Sequence, residues 1–95
     1  MKYLEVEMQD GSVWAVPAEV IAKHRGDYYR KREGDKSGSV EMQVALEDHS
    51  VLIDWAENNM NWSTVQPHAI QVGDNATDYQ EGWVNGNKRV VERKP

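Results

Sequence analysis

The chain has no cysteine, no phenylalanine and only three prolines among its 95 residues. The missing thiols exclude disulfides, a thiolate nucleophile and cysteine-liganded zinc together, a pattern that fits a reducing compartment. A membrane span needs about 18 consecutive apolar residues, and no such run occurs. The N-terminus lacks the basic-then-apolar layout of a signal peptide, so the protein is expected to be soluble and cytoplasmic, with no membrane partner. Seven glycines are present, but none fall into a P-loop or dinucleotide spacing, which excludes the common phosphate cradles.

A further absence concerns charge. Residues 37–87 hold eight acidic residues and no lysine or arginine, while residues 1–36 are balanced and residues 88–95 carry a net charge of +3. Nucleic-acid affinity rests largely on Lys and Arg, so direct nucleic-acid binding through the long middle segment is disfavoured. The aromatic bulk comes from four Trp and four Tyr. Each indole or phenol carries a polar group that seeks a partner, which places this kind of core close to the surface.

Tyr3-Leu4-Glu5-Val6-Glu7-Met8 alternates with the period of a half-buried strand, Asp10-Gly11 supplies a tight turn, and Ser12 to Val16 returns as a second strand. Pro17 suits the first turn of a helix, which the spacing of Val20, Ile21, His24 and Tyr28 extends to about Arg32. Gly26 inside it costs about 1 kcal/mol relative to Ala, so a kink or a close helix contact is expected there. Glu33 to Ser39 reads as a loop, with Ser39 capping a second helix from Val40 to about Glu47. A break near Asp48 then opens a third helix, although Met42, Ala45, His49, Leu52, Ala56 and Asn59 also fit one continuous helix. Pro67 stops the helical pattern. His68 to Val72 has strand character and is expected to pair with the N-terminal hairpin, and Asn85-Gly86 signals a short hairpin between Trp83-Val84 and Arg89-Val90-Val91. The expectation is an α+β fold: a small antiparallel sheet, the N-terminal hairpin plus a third strand, packed by two or three helices. Residues 1–78 form the domain and residues 79–95 an extended tail or short hairpin.

No convergent catalytic set or cofactor motif emerges. His24, His49 and His68 are far apart, and none has a second ligand at helical metal-site spacing. Asp48-His49-Ser50 gathers the residue types of a hydrolytic triad, but neighbours in sequence point in different directions, and helix capping accounts for them. The protein is therefore expected to be no enzyme and to carry no cofactor or metal. The candidate partner-binding set is Glu47, Asp48, Asp54 and Glu57 as an acidic face, with Asn58, Asn61, Trp62 and Trp83 as amide contacts and aromatic anchors. For Trp83 two readings stand: a clasp over the domain's own core, or an anchor held out for a partner.

The strings Asp54-Trp55-Ala56-Glu57-Asn58-Asn59-Met60-Asn61-Trp62-Ser63 and Tyr79-Gln80-Glu81-Gly82-Trp83-Val84-Asn85-Gly86, with the Asp10-Gly11 turn and the Val16-Pro17-Ala18-Glu19 helix start, resemble a family of small acidic proteins encoded by tailed bacteriophages and prophages. The resemblance covers most of the chain and implies a setting: an accessory factor in the bacterial cytoplasm that binds and redirects or inhibits a host protein. A host protein with a basic nucleic-acid channel is the expected kind of partner. The alternative is a structural or assembly accessory of the phage acting as a homo-oligomer.

Overall fold

The computed structural model describes residues 1–8, 12–72, 83–84 and 86–92. The elements are β1 (Lys2–Glu7), β2 (Val13–Pro17), α1 (Ala18–Glu33), α2 (Asp35–Glu47), α3 (His49–Asn59), α4 (Trp62–Val65), a 3-10 turn (Gln66–His68), β3 (Ile70–Gln71) and β4 (Lys88–Glu92). The four strands form one antiparallel sheet in the order β3-β2-β1-β4. The α+β class and the third strand beside the hairpin agree with the sequence pattern. The Asp10-Gly11 turn itself lies outside the described residues.

Alternation along β1 sets the two faces of the sheet. Leu4 sits between Val16 and Val90, and Val6 sits between Trp14 and Lys88. Leu4, Val6 and Val16 are buried in the core with Ile21, Ala22, Leu52, Ala56 and Val65 from the helices. On the other face Glu5 pairs across the strands with Ala15 and Arg89, and its buried carboxylate accepts from Arg89 Nε at 3.1 Å and Nη2 at 2.8 Å. Residues 88–92 do not fold back on Trp83-Val84 as a hairpin. Trp83 and Val84 have helical backbone, and the strand pairs with β1 instead. Two short arms alone are marginal in water, whereas an added strand on an existing sheet gains a full ladder.

Helix α1 has Glu19 in its first turn and Arg30, Lys31 and Arg32 in its last, each sign complementing the helix dipole. Gly34 ends it at φ 104°, with its N–H donating to the Arg30 carbonyl at 2.9 Å, a backbone conformation that glycine adopts without steric cost. Helix α2 starts at the next residue. The expected loop over Glu33 to Ser39 thus contracts to a single linking glycine, because the two helices pack backbone to backbone. A Cβ on Gly26 would lie 2.9 Å from the Gly38 carbonyl oxygen, and one on Gly38 would lie 2.8 Å from that of Gly26. Of the two expectations for Gly26, a kink or a close contact, the structure takes the contact.

The break near Asp48 is present. Asp48 is extended (φ −112°, ψ 105°), and its Oδ1 accepts from the backbone N–H of Ser50 at 3.0 Å and of Val51 at 3.3 Å. These bonds satisfy N–H groups that the first turn of α3 leaves open. Asn59, placed by spacing on the apolar face, is exposed instead, because α3 ends there and the chain turns extended at Met60. No helix among the described residues is long and apolar enough to cross a membrane.

Candidate partner-binding surface

Helix α3 buries Leu52, Trp55 and Ala56 and turns Asp54 and Asn58 outward. Being four residues apart they share a face: Asn58 Nδ2 donates to Asp54 Oδ1 at 2.9 Å and to the Asp54 carbonyl at 3.1 Å. The amide orients the carboxylate without neutralising it. Glu47, at the end of α2, accepts from Gln43 Nε2 at 2.9 Å, again from a neutral amide. Exposed Asp48 stands between the two helices, and its bonds from Ser50 and from the Val51 N–H hold its carboxyl below the ordinary aspartate value. Asp48 therefore remains anionic under all but strongly acidic conditions. Among the described residues, none of Glu47, Asp48 and Asp54 forms a salt bridge.

Glu57 differs. Its carboxylate pairs with Lys88 Nζ at 3.0 Å, and the Lys88 side chain is only 1% exposed. The same ammonium donates to the carbonyls of Val84 at 3.2 Å and Gly86 at 3.0 Å, so its three protons have three acceptors. Glu41 likewise has a counter-ion, Arg25 at 2.9 Å. The absence of bases from residues 37–87 is thus made good in part by cations from the flanking segments. Sequence reasoning missed Arg25 and Lys88 because neither stands at helical spacing from its partner.

The aromatic anchors are internal. Trp83 is fully buried, and its indole N–H is shared between the carbonyls of Ala56 at 3.0 Å and Met60 at 3.2 Å. It closes the C-terminal end of α3, where helix carbonyls lack partners. The clasp reading of Trp83 is the one the structure adopts, which corrects its alternative placement as an outward anchor. Trp62 is also corrected to the interior: it is 6% exposed, packed edge-on to Trp14 with ring centres 5.3 Å apart and against Trp83 at 6.1 Å. Trp55 donates its indole N–H to His24 Nδ1 at 2.9 Å, and the Arg25 guanidinium lies over both the Trp55 and Tyr29 rings. Of the amides, Asn58 and Asn61 remain exposed.

The structure therefore brings Asp54 and Asn58 together on α3, leaves Glu47, Asp48 and Asn61 exposed at the two ends of that helix, and moves Glu57, Trp62 and Trp83 into stabilising contacts. The histidines do not converge on a metal centre. His49 is exposed at the start of α3, and among the described residues no group of three His, Asp or Glu side chains is placed to hold an ion. Asp48, His49 and Ser50 act as a helix start rather than as a triad, since the Ser50 hydroxyl donates to Asp48. Comparison with family models, with curated proteins and with solved structures returned no match.

Proposed function

We propose that the protein is a non-enzymatic accessory factor that docks the Glu47–Asp48–Asp54 flank on a basic surface of a host protein and thereby modulates or inhibits it. One observation carries the reading: these carboxylates are exposed and without a salt bridge among the described residues, as Glu7, Glu19 and Glu33 also are, but unlike those three they lie in the stretch of residues 37–87 that holds no Lys or Arg. A solvated protein surface ordinarily mixes both signs of charge. A flank whose carboxylates carry no ion pair suits a partner whose own surface is basic, such as a nucleic-acid channel, where complementary potentials speed encounter and set orientation. The bacteriophage setting and the host partner rest on the resemblance of the Asp54–Ser63 and Tyr79–Gly86 strings.

The test is capture from bacterial lysate by the tagged protein at low salt and at about 0.5 M salt, where surface charges are strongly screened. The partner should be retained at low salt, be released at high salt, and prove to be a protein with a basic face. Glu47→Lys combined with Asp54→Lys should abolish capture while leaving thermal unfolding unchanged. Equal capture by that double variant refutes the acidic flank. Glu57→Lys is unsuited to the purpose, since it would set two cations against each other at Lys88.

A further inference from the structure

A groove of about 370 Å³ runs between α1 and the segment from Met60 to His68. Val20 and Met60 give it an apolar lining, and its polar groups come from Lys23, His24 and Asp27 on one side and from Thr64 and His68 on the other. Most of these groups are set up to donate. His24 Nδ1 already accepts the Trp55 indole N–H, so its neutral ring carries the proton on Nε2. The Lys23 ammonium gives one proton to Asp27 Oδ2 at 2.9 Å and has two more. Thr64 adds a hydroxyl.

Asp27 is the carboxylate in this rim, and both its oxygens are engaged, Oδ2 by Lys23 and Oδ1 by Arg30 at 2.6 Å. The Lys23 bond and the two nearby cations hold its carboxyl below the ordinary range. Asp27 thus fixes Lys23 in place, while Arg30, which holds its other oxygen, also faces Asp35 at 3.5 Å, so the charges of this cluster balance and the Lys23 protons not used by Asp27 are what the groove offers an anion. The groove lies near the lower size limit of small-molecule pockets, which run from about 300 Å³ upward, and combines an apolar lining with convergent polar groups.

We propose that this groove binds a small organic carboxylate with an apolar body, the body resting on Val20 and Met60 and the carboxylate meeting Lys23, with His24 and Thr64 as neutral donors. An ammonium ligand would face Lys23 and find both Asp27 oxygens already engaged. A bare inorganic anion would leave the apolar lining unused.

Nuclear magnetic resonance titration of the full chain with 4-phenylbutyrate, 4-phenylbutylamine and acetate tests this. Phenylbutyrate should shift the Met60 and Val20 methyl signals and the Trp55 indole N–H in a saturable way. The amine and acetate should bind at least about tenfold more weakly, the discrimination of one charge-assisted hydrogen bond or of a buried ring. Lys23→Gln should weaken phenylbutyrate by about tenfold, and Lys23→Arg should restore most of the affinity. Equal binding of the amine, shifts scattered over Lys31 and Lys36 rather than the groove, or no saturable shift would each overturn the assignment. So would a Lys23→Gln variant that keeps its native spectrum and binds phenylbutyrate undiminished.

Discussion

Replacing Gly26 by alanine sets local and tertiary physics against each other. In an isolated helix the change is favourable by about 1 kcal/mol, because glycine loses more backbone entropy on ordering. In the folded protein the new methyl would sit 2.9 Å from the Gly38 carbonyl oxygen, closer than side-chain carbons approach their neighbours, and 3.0 Å from Met42 Cβ, tighter than most such contacts. One of these is main chain, so relief requires α1 and α2 to move apart, and overpacking of this kind costs about 1–3 kcal/mol. The net expectation is a destabilisation of up to about 2 kcal/mol, or a fall in Tm of up to about 15 °C for a domain of this size. Gly38→Ala should be at least as damaging, since its methyl would meet the Gly26 oxygen and Arg30 Cβ, both at 2.8 Å. Because either methyl forces the same separation, the double variant should lose less than the two singles together. Exposed Ser39→Ala on α2 serves as the control and should change stability by only a few tenths of a kcal/mol. Thermal and urea unfolding followed by circular dichroism provide the assay. A Gly26→Ala protein with a raised Tm would refute the backbone-to-backbone crossing.

Three further outcomes are expected. Trp83→Phe keeps most of the buried ring but removes the donor that closes α3, and should cost about 1–3 kcal/mol in urea unfolding; an unchanged midpoint would show that the indole N–H contributes nothing. Lys88→Met should destabilise by about 2–4 kcal/mol, because it strands the Glu57 carboxylate and two carbonyls, whereas Glu57→Gln should cost about 1 kcal/mol since Glu57 is partly solvated and Gln still accepts. The reverse order in equilibrium unfolding would contradict the placement of the buried ammonium. Asp48 has a folded-state pKa below its unfolded value, so its contribution is complete above the ordinary value of 3.8 and is lost as pH falls through the lower folded value. The stability difference between wild type and Asp48→Ala should therefore be constant near neutral pH and shrink below 3.8. A difference that persists undiminished at pH 2 would sink the cap as its source.

What the sequence alone determined lies within a few residues' reach. Alternation from Tyr3 to Met8, the helix start at Pro17, the stop and cap at Asp48 and the one-signed charge of residues 37–87 are all local properties. Periodicity and capping are interactions between positions two to four apart, which a linear pattern displays directly. The exposed Glu47, Asp48, Asp54, Asn58 and Asn61 of the candidate surface were legible for the same reason, as polar positions outside the Leu52–Trp55–Ala56 stripe. Tertiary structure decided the rest. Helix α2 begins at Asp35 rather than Val40, because the Gly26–Gly38 approach rewards helix where the local sequence favours loop. Residues 88–92 complete the sheet because β1 offers them a ladder that Trp83-Val84 do not. The counter-ions of Glu41 and Glu57 come from 16 and 31 residues away, and Trp62 and Trp83 turn inward because each buries a large ring against another. Burial and charge pairing depend on which surfaces meet, and that is a property of the packed chain rather than of any segment read by itself.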